Sequence, residues 1–306
     1  MLLVTISGVF VITKPEPTVA LPSRLYRGLK FSIIDWPGER VSEDSLLIKV
    51  HEVKDSNKAP FIWCGYVENL STIVSICGKD RTIYCIRGPV GLFRATENVI
   101  GKLGRYYAHE IEKAIPAGPY MIAGFCHASY LAIEIATLLI QRGHQVGFLG
   151  FVEADIPTGD SLLSKYARKV FNRINYHGTR IRSSLNSIES ESPTFLTYIR
   201  KIPKILNDGF GKEPAEFHLD IDRDIYKFRK ERDVMYQIKP YPSSLHLFYI
   251  RWSVYGFYQL DYFKKYWRAT VKDGVKVDFI HGAAHQYADW PAIIERINKR
   301  MLETGY

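Results

Sequence analysis

The chain has 306 residues, 46% of them hydrophobic and 24% charged, and it carries a formal net charge of +9. This composition is typical of a globular protein and excludes a disordered or fibrous one. The positive charge favours acidic partners or an anionic ligand, but it is too small to require nucleic acid, and we expect none.

The cysteines and the N-terminus bear on metal binding and location. The four cysteines stand at positions 64, 77, 85 and 126 without a C-x-x-C pair, so we expect neither a metal site nor a disulfide framework, and no bound cofactor. Reduced thiols in a cytoplasm are the better interpretation. The apolar start, MLLVTISGVFVITK, lacks the marks of a signal peptide and is too short and too β-branched for a membrane helix. It predicts a strand or hairpin, in a protein that is not attached to a membrane.

In chain order, residues 1–58 read as a strand-rich N-terminal extension, in which prolines interrupt any long element. Residues 59–156 then alternate short apolar runs with a helical pattern, beginning with PFIWCGYV and RTIYCIRG and ending with QVGFLGFV. Strands that alternate with helices at this spacing predict a mostly parallel sheet covered on both faces, an α/β fold.

Residues 157–236 differ, because they are helical, basic and amphipathic, and they predict a helical insertion within the α/β fold. Strand patterns return in residues 237–306 with SLHLFYI and KVDFIHG, and PAIIERINKRML predicts a final helix. Basic residues of the insertion are candidates for docking an acidic partner, although a solvated helix face is an equally good interpretation. These candidates are Arg168, Lys169, Arg173, Arg200 and Lys201.

The passage PYMIAGFCHASYLAIEIATLLIQRG carries the most chemistry. A predicted strand leads into Gly124-Phe125-Cys126-His127-Ala128, and a predicted helix follows. This is the layout of a nucleophile elbow, in which small residues must stand two before and two after the nucleophile because they face each other across a sharp turn. A helix N-terminus also favours a thiolate. The pattern predicts Cys126 as a nucleophile, against the alternative of a buried structural cysteine.

Such a nucleophile needs an acid and then a histidine later in the chain. Glu153 is the first polar residue after the strand QVGFLGFV, and we prefer it as the acid, with Asp155 as the alternative. Two histidines are candidates for the base: His281 is within or just at the end of the last predicted strand, and His285 follows it. We favour His285 as the base, because it comes after a Gly-containing loop that lets a side chain reach over the sheet edge.

From about residue 46 onwards the chain resembles the thioesterase domains of nonribosomal peptide and polyketide synthases, which belong to the α/β-hydrolase superfamily. The resemblance lies in RTIYCIRG, in the elbow region up to FLGFVEADIP, and in YWRATVKDGVKVDFIHGAAH near the end. It implies an α/β-hydrolase fold in which the helical insertion is a lid over the acyl channel.

The resemblance also assigns roles. It implies a triad of Cys126, Glu153 and His285, with the backbone N–H groups of His127 and Tyr66 holding the oxyanion. The substrate would arrive on the phosphopantetheine arm of an acyl or peptidyl carrier protein. The chain departs from the family in its cysteine nucleophile, in its glutamate, and in the loop at Cys64–Glu68, which lacks two glycines.

We therefore expect an enzyme of natural-product biosynthesis that takes an acyl or peptidyl chain onto Cys126 and releases it by hydrolysis or by amide, lactone or ring formation. A cysteine keeps the acyl group activated as a thioester, which favours transfer. The first alternative is a shuttle that passes acyl or aminoacyl groups between carrier proteins. The second, suggested only by the altered loop, is a degenerate hydrolase that acts as a binding module.

Overall fold

The structure is a computed structural model. It describes residues 5–6, 9–10, 20–90, 92, 98–154, 228, 231–250, 260–280 and 289–306. For residues 5–6, 9–10 and 260–264 the backbone alone is described.

Ten strands are described within these ranges. They are β1 (Thr5–Ile6), β2 (Val9–Phe10), β3 (Glu39–Arg40), β4 (Ile48–His51), β5 (Phe61–Gly65), β6 (Ile83–Arg87), β7 (Tyr120–Phe125), β8 (Val146–Val152), β9 (Leu245–Ile250) and β10 (Val275–Ile280). Eight of them form one sheet in the order β10-β9-β8-β7-β5-β6-β4-β3. The strands from β10 to β6 are parallel, while β4 and β3 are antiparallel to their neighbours.

Helices cover both faces of this sheet. Those described are α1 (Ser23–Ser32), α2 (Leu70–Cys77), α3 (Val99–Ala114), α4 (Ser129–Gln141), α5 (Leu260–Thr270) and α6 (Trp290–Leu302). Helices α1, α3 and α4 bury their apolar side chains in one hydrophobic cluster, and α2 and α6 bury theirs in a second cluster. Every residue of β5, β7 and β9 is buried, as a parallel sheet between two helical layers requires.

The predicted α/β-hydrolase fold is confirmed, and the predicted elements of residues 59–154 and 237–306 coincide with described ones. The helix predicted from ENVIGKLGRYYAHEIEKAI is α3, and the last predicted helix is α6. At the N-terminus, Thr5–Ile6 pairs antiparallel with Val9–Phe10, which confirms the predicted hairpin.

The N-terminal 58 residues contain more than strands. Helix α1 has ten residues and lies in the proline-free stretch between Pro22 and Pro37, and it buries Leu25 and Leu29. Strands β3 and β4 form one edge of the eight-stranded sheet, so the main sheet includes part of this segment. Most of residues 157–236, the predicted lid, lies outside the described residues.

None of the described helices is long and apolar enough to cross a membrane.

Candidate active site

The strand β7 ends in a sharp turn that presents Cys126. Cys126 follows Phe125 directly and has a φ of +52°, in the left-handed region that side chains rarely adopt. A 3₁₀ turn over Cys126–Ala128 then leads into α4. Strain of this kind persists where the surrounding structure enforces it, and it is frequent at functional sites. The predicted strand–elbow–helix layout is therefore present, with the cysteine at its apex and 9% exposed.

The small residues of the elbow are required by contacts. A Cβ atom on Gly124 would lie 2.5 Å from the Cα of Ser129, a distance that no side chain tolerates. The Ser129 hydroxyl donates to the Gly124 carbonyl at 2.9 Å and closes the turn. On the other side, a Cβ on Gly88 would lie 3.1 Å from the Cβ of Ala128. Gly88 ends the RTIYCIRG passage, so the elbow packs against the end of β6.

Tyr66 lies beside the elbow, at the start of the loop that follows β5. Its ring meets the Phe125 ring edge-on at 6.0 Å, and the Arg87 guanidinium lies 4.9 Å from its ring centroid. Burial, assisted by the charge of Cys126 and opposed by Arg87, raises the pKa of Tyr66 to about 12. Tyr66 therefore packs against the residue that precedes Cys126.

Glu153 stands at the matching place on the neighbouring strand. Phe125 of β7 pairs with Val152 of β8. Cys126 and Glu153 are the next residues after the two strands, so each directly follows one of these paired residues. Glu153 is fully buried and has a φ of +50°. Its Oε1 accepts the backbone N–H of Ile250 at 2.6 Å. The structure therefore brings the predicted nucleophile and the preferred acid to the same edge of the sheet.

The remaining predicted triad residues are not described. Asp155, His281 and His285 lie outside the described residues, although β10 ends at Ile280 and so delivers the chain to the edge that carries Cys126. The docking candidates Arg168, Lys169, Arg173, Arg200 and Lys201 also lie outside them. Among the described residues, no group of three or more His, Cys, Asp or Glu side chains is arranged to hold a metal ion.

A buried arginine that no sequence pattern predicts also contacts the elbow. Arg232 is fully buried, and its Nη1 lies 3.1 Å from the Nδ1 of His127. Its guanidinium stacks 3.7 Å from the ring centroid of Tyr130, in the first turn of α4. Arg232 falls in a basic amphipathic stretch of the sequence, where burial of one cation leaves no signal.

The other three cysteines are packing residues. Cys64, Cys77 and Cys85 are completely buried, and all four cysteines are free of disulfide bonds. Burial raises the pKa of Cys77 to about 12 and raises the pKa of Cys64 and Cys85 well above the usual range. Thiols of this kind are inert and contribute to packing.

Comparison with known proteins identifies relatives. The chain is 36% identical over 73 residues to the nonribosomal peptide synthetase atrA of Aspergillus terreus, covering 24% of this chain and 8% of the synthetase. It is 31% identical over 106 residues to the non-reducing polyketide synthase men2 of Menisporopsis theobromae, covering 32% of this chain and 5% of that protein. The chain thus corresponds to a small part of the curated relatives that it matches.

A solved structure, the RedJ thioesterase from the prodiginine biosynthetic pathway of Streptomyces coelicolor, aligns over 83% of this chain and 91% of its own at 14% identity and a TM-score of 0.46. The family model of the thioesterase domain matches residues 93–301, which include the elbow and Glu153 and amount to more than half of the chain. The chain therefore belongs to the thioesterase family.

Proposed function

We propose that the protein takes an acyl or peptidyl chain from the phosphopantetheine thioester of a carrier protein onto Cys126, and then releases or transfers it. The observation that carries the proposal is the strained elbow, which places a thiol at the N-terminus of α4, beside Glu153. A cysteine kept only for packing would not need a positive φ or the close contact of Gly124 with Ser129. The relatives support the substrate class, because they are a peptide synthetase and a polyketide synthase.

The covalent steps follow from this arrangement. His285 takes the proton of Cys126, and the thiolate attacks the thioester carbonyl to form a new S–C bond. The N–H groups of His127 and Tyr66 stabilise the oxyanion, and Glu153 orients and stabilises the imidazolium. Collapse breaks the bond to the pantetheine sulfur, which leaves with the proton from His285. An incoming amine, hydroxyl, thiol or water then repeats the sequence in the other direction and regenerates the thiol.

The cysteine favours transfer over plain hydrolysis. Exchange of one thioester for another is nearly isoenergetic, so the acyl group on Cys126 keeps its reactivity toward an amine or a second thiol. This specific feature also supports the second candidate, a shuttle that moves acyl or aminoacyl groups between carrier proteins. The two candidate functions differ only in the acceptor of the acyl group, which in the shuttle is the thiol of a second carrier protein.

Intact-protein mass spectrometry with a short acyl-pantetheine thioester tests the proposal. We expect an acyl adduct on the wild type and on Cys77→Ala, no adduct on Cys126→Ala, and slower acylation of His285→Ala. Cys77 is the matched control because it is buried and its pKa is raised to about 12. No adduct and no turnover in any variant, across several acyl chains, would overturn the proposal and favour a binding module.

Addition of a second carrier protein bearing its free phosphopantetheine thiol separates the two acceptors. Accumulation of acylated second carrier identifies the shuttle. Accumulation of free acid or of a cyclic product identifies release.

A further inference from the structure

The side chain of Arg232 makes an unusually complete set of contacts for a buried cation next to a nucleophile. Its Nε and Nη2 donate to one carboxylate oxygen of Asp233, at 2.9 and 2.5 Å. Its Nη1 lies 3.1 Å from the Nδ1 of His127, and its plane stacks on Tyr130. A buried charge is retained only where partners compensate its desolvation, and here two of the partners belong to the elbow and the helix behind it.

The contact with His127 determines the state of that imidazole. A guanidinium has only hydrogen-bond donors, so the Nδ1 of His127 must be the acceptor and its proton resides on Nε2. His127 is 2% exposed, and the ring of Phe228 packs against it edge-on at 6.3 Å. The imidazole is thus neutral and is contacted by both Arg232 and Phe228.

The contact between Arg232 and His127 bears on the oxyanion hole because of where His127 lies. His127 follows Cys126 directly, and its peptide N–H is the oxyanion donor in the proposed function. The orientation of that N–H depends on the 3₁₀ turn Cys126–Ala128. Arg232 contacts the turn through His127 and contacts the first turn of α4 through Tyr130, so it bridges the two elements whose junction sets the direction of the N–H.

We propose that Arg232 is a positioning residue for the oxyanion hole: by holding the Nδ1 of His127 and stacking on Tyr130, it fixes the peptide between Cys126 and His127 with its N–H toward the substrate carbonyl. This inference rests on the proposed function. It predicts that loss of Arg232 impairs acylation of Cys126 but leaves the reactivity of the thiol itself unchanged.

Two reactions of the same thiol separate these effects. Iodoacetamide reacts at a saturated carbon and forms no oxyanion, so its rate reports only the access and ionisation of Cys126. An acyl-pantetheine thioester passes through an oxyanion, and its rate reports the hole as well. Both rates are measured by intact-protein mass spectrometry on full-length wild type, Arg232→Met, Arg232→Lys, His127→Ala and His127→Asn.

The matched control is Arg81→Met. Arg81 is also fully buried, but it precedes β6 at the opposite edge of the sheet and contacts the Ala59 carbonyl and the Met301 sulfur. We expect Arg232→Met and His127→Ala to be alkylated within twofold of the wild-type rate and acylated about 10- to 100-fold more slowly. His127→Asn keeps a hydrogen-bond acceptor at the place of Nδ1, so its acylation rate falls less than that of His127→Ala. Arg81→Met keeps both rates.

The double variant Arg232→Met/His127→Ala should be no slower in acylation than the slower single variant, because both changes break one contact. Unchanged acylation of Arg232→Met, or a parallel fall in acylation and alkylation in both Arg232 variants, would overturn the inference while the proposed function stands. A wild type that is alkylated but never acylated would overturn the proposed function and this inference with it. If Arg232→Met does not fold, Arg232→Lys and the two His127 variants decide by the same comparison.

Discussion

The Oε1 of Glu153 accepts the backbone N–H of Ile250 at 2.6 Å, while the N–H of Glu153 itself donates to the carbonyl of Phe248 at 2.9 Å. This pair of hydrogen bonds joins the end of β8 to the end of β9. It holds a fully buried carboxylate at a positive φ, at the edge of the sheet that carries Cys126. The side chain is therefore fixed before any substrate binds.

The assignment of Glu153 as the triad acid is tested by Glu153→Gln. Glutamine keeps an oxygen that accepts from Ile250 but removes the charge that stabilises an imidazolium, so we expect acylation to slow by about 10² to 10⁴-fold with little change in the melting temperature. The control is Asp155→Asn, which should remain close to wild type. If Asp155→Asn shows the large loss and Glu153→Gln does not, Asp155 is the acid. Stopped-flow acylation measures both.

Substitution of Gly124 should destroy the elbow. In Gly124→Ala the new Cβ lies 2.5 Å from the Cα and 2.8 Å from the N of Ser129, and backbone atoms cannot move away as a side chain can. We expect destabilisation of at least about 3 kcal/mol, together with slow alkylation of Cys126. Urea unfolding and iodoacetamide labelling measure the two effects.

The matched control for this change is Gly143→Ala. Gly143 has a positive φ of +89°, unlike Gly124 in β7, and a Cβ there meets nothing within 4 Å. The cost should be about 1 to 2 kcal/mol of backbone strain, with normal labelling of Cys126. Equal costs for the two substitutions would show that the contact with Ser129 costs no more than ordinary backbone strain, and would contradict a steric requirement for glycine at position 124.

His246 should make the protein sensitive to acid. It is 4% exposed in β9, its ring lies 4.9 Å from that of Phe148, and burial, assisted by Lys276 and Arg300, lowers its pKa to about 4. Between pH 6.5 and pH 4, about the pKa values of the unfolded and the native state, His246 is protonated in the unfolded chain but stays neutral in the folded one. The free energy of unfolding therefore falls as the pH drops from about 6.5 to about 4. The loss from this group is at most about 3 kcal/mol.

His246→Phe removes this contribution, because it keeps a ring against Phe148 and has no proton to bind. Urea unfolding of both proteins at pH 7 and pH 5 should show a smaller loss of unfolding free energy for the variant. Parallel losses in the two proteins would mean that His246 is not the group responsible.

The hydroxyl of Tyr236 should contribute measurably to stability. It donates to the Oε2 of Glu134 at 2.7 Å, Glu134 is 3% exposed, and the Nζ of Lys239 lies 3.9 Å from its other oxygen. Burial and the charge of Glu134 raise the pKa of Tyr236, so the phenol remains a donor. Tyr236→Phe should lower the unfolding free energy by about 1 to 3 kcal/mol, since a buried carboxylate loses a donor.

Tyr26→Phe is the control for that measurement. The Tyr26 hydroxyl donates at an exposed site to the carbonyl of Asp44 at 3.2 Å, so its removal should cost less than about 0.5 kcal/mol. A similar small cost for Tyr236→Phe would contradict a stabilising role for the Glu134 contact.

The fold was predictable because its signals are local. Each parallel strand is a short apolar run that must be buried on both faces, and each is bounded by turn residues, so β5 to β8 appear at the predicted places. Helix α1 was not predictable in the same way, since its ten residues have only two fully buried side chains and lie between prolines. Leu25 and Leu29 are buried in the same hydrophobic cluster as residues 46–48 and Tyr106, which come later in the chain.

By itself, the sequence determined the elbow. Glycine at 124, cysteine at 126 and alanine at 128 are close neighbours in the chain, and the steric demands of one turn relate them, so a pattern of five residues suffices. Only the tertiary structure decided the burial of Arg232 and its contact with His127, which lies 105 positions away in the chain. In the sequence, Arg232 stands in a basic amphipathic pattern and cannot be told apart from a solvent-exposed basic residue. Burial of a cation is decided by the partners that the fold assembles around it, and those partners lie on another element.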